Sequence, residues 1–515
     1  MKKVFILIVF VTANIFAQNE WTLQPWMQVI GKYSGQKLGS AVSYLGKKND
    51  STLISVTDGS NNIYIYQIKS PADTIPIYTF KGISCLKGDF NGDGIPDLVI
   101  TGNPTKIYLG KAPGVYDTTT AFFVKYSEPN GYSFGIHAAV GKINGDKYDD
   151  LVITDPDYPD LKAVGKLYIF WGGTSMDTIP NYTIQGDTIR AGFGWNVTTG
   201  NLNNDGYDDI IIKGYKTKSG LNGTVGFAYI KIFLGGETID TTAWKYIEGG
   251  DNSDYGLSSF DINGDGIEDL LWTNYSAKDS MQSIYIHYSQ NGDINTVPSL
   301  VIPFDAWASN IANAGDMNGD GYNDILTSGN YSDNAGNSYI FVFSGGPKMD
   351  TKFDAAVGLG GVSDMGAWGS ITGIGDINGD GLADILVGAP EYNWFKEKGY
   401  WGIYLGSKNI PTPVLKEPND NIPKTFKLNQ NYPNPFNPST IISWQLTKPA
   451  KVSLIIYNTL GQKLQELVNE EQTSGEHQVT FNANRYSSGV YFYRLTVVDG
   501  RGEIETAVKS LVLIK

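Results

Sequence analysis

Six nonapeptides between residues 89 and 384 place side-chain oxygens at alternate positions of a short loop. They read Asp89-Phe-Asn-Gly-Asp-Gly-Ile-Pro-Asp97, Lys142-Ile-Asn-Gly-Asp-Lys-Tyr-Asp-Asp150, Asn201-Leu-Asn-Asn-Asp-Gly-Tyr-Asp-Asp209, Asp261-Ile-Asn-Gly-Asp-Gly-Ile-Glu-Asp269, Asp316-Met-Asn-Gly-Asp-Gly-Tyr-Asn-Asp324 and Asp376-Ile-Asn-Gly-Asp-Gly-Leu-Ala-Asp384. Oxygens at positions 1, 3 and 5 point to one centre when glycine at 4 or 6 lets the backbone turn sharply. Calcium, a hard cation, takes about six to eight such oxygens. In the first copy Asp89, Asn91 and Asp93 would supply side-chain oxygens, Ile95 a carbonyl, and Asp97 both carboxylate oxygens. The same roles fall to Asn201, Asn203, Asp205, Tyr207 and Asp209; to Asp261, Asn263, Asp265, Ile267 and Asp269; to Asp316, Asn318, Asp320, Tyr322 and Asp324; and to Asp376, Asn378, Asp380, Leu382 and Asp384. About five structural calcium sites are expected.

In the copy at 142–150 lysine stands at position 1 and again at position 6. Its remaining oxygens, from Asn144, Asp146 and Asp150, form a weak or vacant site in which an ammonium could substitute for the metal. An EF-hand is excluded, because position 12 is Ile100, Ile153, Ile212, Trp272, Thr327 or Val387 and never the required glutamate. The plain alternative is an Asx-rich turn that bonds its own backbone. Such a turn leaves several acids crowded together with no cation to offset their repulsion.

The elements that carry these loops are strands. The starts lie 53, 59, 60, 55 and 60 residues apart, and the surrounding order is constant. An aromatic-glycine pair comes first (Phe134-Gly135, Phe193-Gly194, Tyr255-Gly256, Trp368-Gly369), then the loop, an apolar strand, a variable loop and an aromatic strand. A worn copy without acidic ligands precedes them at Leu38-Gly39, Ser51–Val56 and Ile63–Tyr66. Seven units of about 56 residues, each about four strands, fill residues 18–406. With 61 glycines and 18% charged residues, and no long segment of helical periodicity, the chain reads as all-β.

This grammar resembles the FG-GAP (VCBS-type) repeat family, the seven-bladed β-propeller at the head of integrin α chains. Gly388-Ala389-Pro390 matches the family's second signature, and Thr154-Asp155-Pro156 is a drifted form of it. The resemblance implies that the calcium loops share one face and that the loops after each second strand lie on the other. Those opposite loops would carry Tyr158, Tyr215, Tyr275, Tyr331, Tyr392 and Trp394, aromatics suited to stacking on a glycan or a protein ligand.

The net charge of −14 lies wholly in the body of the chain, because residues 1–17 and 425–515 are each net positive. An acidic body with no basic stripe excludes nucleic acid as partner. Lys2 and Lys3 before the apolar run Val4–Phe16, with Ala17 ahead of Gln18, read as a signal peptide over 1–17. No later stretch is long and apolar enough for a transmembrane helix. The single cysteine, Cys85, allows no intrachain disulfide, so another staple is required.

After a linker at 407–424, residues 425–515 read as a small Ig-like β-sandwich. The run Leu428-Asn-Gln-Asn-Tyr-Pro-Asn-Pro-Phe-Asn-Pro-Ser-Thr440, with Ser488-Gly-Val-Tyr-Phe-Tyr-Arg494 and the end Lys509–Lys515, closely resembles the type A C-terminal sorting domain of the bacterial type IX secretion system. That resemblance implies contact with the type IX machinery and export to the outer-membrane surface or the medium. The histidines, His137, His287 and His477, stand apart from one another; no Gly-x-Ser-x-Gly elbow is linked to a histidine partner, and no histidine-rich metal cluster appears. A non-enzymatic adhesion or recognition module is therefore expected. The alternatives are a polysaccharide-degrading enzyme on a propeller scaffold and a purely structural surface component.

Overall fold

The computed structural model describes residues 21–23, 25–129, 131–159, 163–188, 191–220, 223–250, 256–276, 281–304, 306–331, 337–363, 370–390, 398–410, 426–429, 431, 433–446, 449–458, 462–499 and 504–514. The expected signal peptide, most of the linker, Tyr255, Trp368-Gly369, Tyr392 and Trp394 lie outside them. The chain divides into two compact units, Met1–Leu415 and Lys416–Lys515.

Strand content in the first unit follows from short apolar runs bounded by glycine and Asx turns. Blade one pairs Ala41–Lys48, Ser51–Thr57, Asn62–Ile68 and Tyr78–Lys81 in sequence order. Blade two uses Cys85–Gly88, Asp97–Ile100, Thr105–Tyr108 and Phe123–Lys125. Blade three uses Ala138–Gly141, Asp150–Asp155, Lys166–Phe170 and Tyr182–Gln185. Blades four, five and six begin at Asn196–Gly200, Leu257–Phe260 and Ala306–Gly315.

Second strands are buried over at least their first four residues, and Ser51–Thr57, Asp150–Asp155 and Asp384–Ala389 show no partly exposed residue. This explains their continuous Leu-Val-Ile character, since both faces of each sheet meet a neighbouring blade. The first strands of successive blades touch in series, and that of blade seven, Ser370–Gly375, touches that of blade one. Seven sheets therefore close a ring, a β-propeller.

Closure is non-covalent. Blade seven takes Ser370–Gly375, Asp384–Ala389 and Tyr400–Tyr404 from the end of the unit and its fourth strand, Pro25–Ile30, from the start. Met27 faces Ile403 and Val29 faces Trp401 across this seam. Trp401 is fully buried among Met27, Ile54, Val56 and Tyr66, so the cores of blades seven and one are continuous. Trp21–Thr22 adds a parallel pair to the outer strand of blade six, Ala355–Ser363. Ile410 is buried in the core of blades six and seven. The first unit thus reaches past residue 406, into the segment expected as linker.

The second unit stacks a sheet of Phe426–Leu428, Ser439–Leu446 and Gly475–Asn482 on one of Lys463–Gln472, Ala450–Tyr457, Gly489–Asp499 and Ile504–Leu513. Alternation is strict: Ile442, Trp444 and Leu446 from one sheet meet Val452, Leu454 and Ile456 from the other. The Pro-Asn segment before them is tied down by buried Asn431, whose amide donates to the Thr440 hydroxyl at 3.0 Å and to the Pro433 carbonyl at 3.1 Å. Among the described residues no helix is long and apolar enough to cross a membrane, which leaves β-barrel insertion unaddressed.

The seam offers a direct test. Gly39 (φ +93°) packs so tightly that a β-carbon would lie 2.2 Å from the Tyr400 carbonyl oxygen, whereas Gly35 (φ +76°) faces open space. Both Gly→Ala changes carry the left-handed penalty. Only Gly39→Ala forces blades one and seven apart, and its melting temperature should fall further, by an additional ~1–3 kcal/mol of lost stability. Equal losses in the two variants would mean that the seam is loose.

Candidate functional site

Each nonapeptide joins the first strand of a blade to the second. Position 9 opens the second strand, and in all six copies it is a fully buried aspartate: Asp97, Asp150, Asp209, Asp269, Asp324 and Asp384. One carboxylate oxygen accepts the backbone N–H of position 2 in its own loop. The donors are Phe90, Ile143, Leu202, Ile262, Met317 and Ile377, at 2.7–3.2 Å. The other accepts an N–H just beyond the third strand, from Gly110, Gly172, Gly235, Ser289, Gly345 and Gly406, at 2.8–3.1 Å. Position 9 was expected to close a cage with both oxygens. Each of those oxygens also accepts one backbone N–H, which leaves each a lone pair that a cation could use. Five position-2 side chains, Phe90, Ile143, Leu202, Ile262 and Met317, are themselves fully buried. Loop and core are thereby joined at one point.

Above this anchor the exposed oxygens curl around the loop. In the first copy Asp89 accepts from the N–H groups of Asp93 (3.1 Å) and Gly94 (2.8 Å), Asn91 from Asp93 (3.0 Å), and Asp93 from Ile95 (2.8 Å). The copies at 261, 316 and 376 repeat the pattern. Position 6 is glycine with φ between +81° and +94° in five copies. A β-carbon there meets nothing, so the requirement is purely conformational. Position 4 has a second reason. The position-7 side chain of the next blade lies on it: Tyr148 on Gly92, Tyr207 on Gly145, Tyr322 on Gly264 and Leu382 on Gly319.

Successive loops are also bonded to one another. Asp149 accepts the N–H of Asp89, and Asp208 that of Lys142, both at 2.7 Å. Asn323 donates to the Asp261 carbonyl at 2.9 Å. Blade one has no acidic loop, and Leu53 stands where the others carry aspartate, opposite Gly46. There Lys47 supplies the bond instead, its ammonium 2.7 Å from the carbonyl oxygen of Asp376.

Burial pushes the Asp209, Asp269 and Asp324 carboxyls up to about 7, and those of Asp97 and Asp384 to about 6. Neighbouring loop acids push in the same direction, Asp93 and Asp89 on Asp97, and Asp320 and Asp316 on Asp324. The acids of one loop thus repel across a shared centre. Among the described residues no three His, Cys, Asp or Glu side chains are placed to hold a metal by themselves. Any cation would also need the asparagine and carbonyl oxygens, a hard-oxygen set of the kind calcium takes.

The copy at 142–150 departs from this geometry. The Lys142 ammonium bonds to other groups of its own loop than Asn144, Asp146 and Asp150. It pairs with Asp149 at 3.0 Å and the Lys147 carbonyl at 3.3 Å, while Lys147 reaches the Gly92 carbonyl of the preceding loop at 3.1 Å. Lys147 also lacks the positive φ of its glycine counterparts.

On the aromatic candidates the structure corrects the expectation. Tyr215 and Tyr275 lie within long second strands, Asp209–Gly220 and Asp269–Ser276, and Tyr331 ends Asp324–Tyr331, so none of the three sits in a loop. The Thr and Lys residues after Tyr215 continue the ladder as far as Gly220 opposite Gly223. The Tyr215 ring packs on Gly192 and, edge to face, on Trp195 at 5.5 Å. Tyr158 does lie in a turn, half-buried, with the Lys166 ammonium 4.9 Å from its ring centre.

Family models match the chain in both units. An FG-GAP-like repeat model matches residues 89–153 and 261–327, an FG-GAP repeat model residues 368–400, and a secretion system C-terminal sorting domain model residues 430–509. Integrin alpha-5 of Xenopus laevis is 25% identical over 220 residues, 38% of this chain and 20% of that protein. Integrin alpha-IIb of Mus musculus is 27% identical over 235 residues, 42% of this chain and 22% of that protein. Phosphatidylinositol-glycan-specific phospholipase D of Bos taurus is 24% identical over 196 residues, 33% of this chain and 23% of that protein. The chain spans about a fifth of the length of these relatives. It carries FG-GAP repeats of the integrin α type, and its sorting tail indicates type IX export to the cell surface or the medium.

Two outcomes follow from the anchoring aspartates. Asp324→Asn turns a donor toward one of two N–H groups and should destabilise by ~1–3 kcal/mol with or without calcium. Asp320→Asn, on the exposed arc, should remove only calcium-dependent stability, as thermal melts in calcium and in chelator would show. The second concerns pH. A carboxyl whose folded value lies above its unfolded value (about 4) binds its proton more tightly when folded. Metal-free protein should therefore lose stability as pH rises from about 4 to about 7, and calcium should reverse that slope by favouring the ionised form.

Proposed function

We propose that this FG-GAP repeat chain is a calcium-stapled propeller, delivered outside the cell by the type IX route, that acts as an adhesion or recognition module for a glycan or protein ligand. One observation carries the calcium reading: five copies of the same oxygen arc, each hung from a buried aspartate, span a ring closed without a covalent link. The one cysteine, Cys85, is buried and free. An ion held within each loop would stiffen it and, through the bonds between successive loops, the ring, where other exported proteins use disulfides. The loop at 142–150 would contribute little or none of it.

Recognition is favoured over turnover by the condition of two histidines. His287 is fully buried, accepts from the Trp272 indole at 3.1 Å and lies 2.8 Å from the Asn295 carbonyl. His477, in the other unit, stacks on Trp444 at 6.0 Å. Both rings are engaged in packing. The match to a phospholipase D covers 23% of that enzyme and transfers no chemistry.

Extracellular calcium modules bind at roughly 10⁻⁴ to 10⁻³ M. At tenfold excess over the dissociation constant, each site would add about 1.4 kcal/mol and five sites ~7 kcal/mol. The melting temperature of the exported protein should rise by many degrees on going from chelator to millimolar calcium. An unmoved melt would refute the calcium reading. Adhesion is tested separately, by binding of the calcium-loaded protein to arrayed glycans and to candidate surface proteins.

A further inference from the structure

Five of the six acidic loops carry asparagine followed by glycine at positions 3 and 4: Asn91-Gly92, Asn144-Gly145, Asn263-Gly264, Asn318-Gly319 and Asn378-Gly379. Asparagine is thermolabile, and a following glycine has no β-carbon to hinder its reaction. The glycine backbone nitrogen, once it gives up its proton to solvent base, attacks Cγ of the asparagine side chain. A nitrogen–carbon bond forms, the Cγ–Nδ2 bond breaks, and ammonia leaves. Water then opens the cyclic imide at either carbonyl, to give aspartate or isoaspartate.

The electrophile is held alike from loop to loop. Asn144 donates to Asp146 at 2.9 Å and accepts its N–H at 3.0 Å, and Asn318 makes the same two bonds with Asp320, both at 2.9 Å. The backbone is alike too, with φ of the five glycines between +68° and +82°. Gly145 and Gly319 are both exposed, so water reaches both.

The nucleophile is where the loops differ. The N–H groups of Gly264, Gly319 and Gly379 are donated to the position-1 carboxylates of Asp261, Asp316 and Asp376 at 2.6–2.7 Å. That bond must break before attack, and the carboxylate charge opposes loss of the glycine proton. Among the described residues the N–H groups of Gly92 and Gly145 have no partner. Asp89 still stands at position 1 of the first of these loops, bonded to the N–H groups of Asp93 and Gly94 instead. In the loop at 142–150 position 1 is Lys142, and an ammonium accepts no hydrogen bond. The copy at 201–209 also lacks an acid at position 1, but there Asn204 replaces the glycine and its β-carbon blocks the attack. Asn144-Gly145 is thus the one Asn-Gly pair of the six loops with no acceptor at position 1.

We propose that Asn144 is a self-modifying residue, the first of these loop asparagines to deamidate, and that the position-1 carboxylate of the other Asn-Gly loops guards the pair it encloses. The product puts a new carboxylate into the loop of blade three or, as isoaspartate, lengthens its backbone. The arcs at 261, 316 and 376 are spared.

Calcium-loaded full-length protein is aged at mildly alkaline pH, and its loop peptides are followed by mass spectrometry with aspartate and isoaspartate resolved. Asn144 should convert about tenfold or more faster than Asn263, Asn318 and Asn378, the scale set by a hydrogen bond to a charged group. Asn91 should fall between. Lys142→Asp should slow Asn144 to the rate of Asn318, Lys142→Ala should leave it fast, and Asp316→Ala should make Asn318 fast. The ranking of sites in the unaltered protein needs no variant, so a variant that fails to fold does not remove the test. An Asn144 that reacts no faster than Asn318 would overturn the proposal. So would equal protection by Lys142→Ala and Lys142→Asp, which would make the lysine itself the cause.

Discussion

Every acidic loop in this molecule depends on one buried carboxylate. The aspartate at the start of each of these second strands is out of water, and two backbone N–H groups hold it, one from its own loop and one from the end of the third strand. An ionised group in that position is tolerable only because both oxygens are matched by donors. The same bonds hold the exposed arc of oxygens in place above the core. A loop that rich in acids would otherwise spread to relieve its own repulsion. Anchor and arc are one device, which is why it recurs with so little change in blades that otherwise differ.

The ring makes that device collective. Four of the loops are covered by an aromatic or leucine side chain from the next blade, as with Tyr322 on Gly264, and successive loops are bonded through position 8, as with Asp149 on Asp89. Blade one breaks the repeat, yet Lys47 still reaches the Asp376 carbonyl. The chain then locks its own start into its end, with Pro25–Ile30 completing blade seven and Trp401 filling the space between the blades. Such a seam has no open edge and no covalent bond, so anything that stiffens the loops stiffens the closure.

Much of this was legible in the residues. The nonapeptide and its spacing marked six units and a worn seventh, because repeats must present the same groups to the same neighbours. The apolar second strands, the Asx-glycine turns and the Pro-Asn segment of the tail followed from local rules alone. Three features were not legible. The role of position 9 depends on an N–H roughly 13 to 26 residues away beyond the third strand. The placement of Tyr215 depends on how far the hairpin of blade four extends. That the Lys142 ammonium settles on Asp149 and the Lys147 carbonyl of its own loop is the third, because sequence gives no measure of where a long flexible side chain finds its partners.

Sequence by itself determined the number of units, the strands within them, the oxygen types in each loop and the nature of the tail. These are properties of short stretches whose period and composition act locally. Tertiary structure alone decided which strand closes the ring, which oxygens are spent on the backbone, and which buried polar groups remain unmatched. Asp58 and Asp155 make the point: both are buried aspartates at one register position, yet one is saturated by its own blade and the other keeps an oxygen without a donor. The difference lies in which donors surround each carboxylate, and only the packed fold brings those donors within reach.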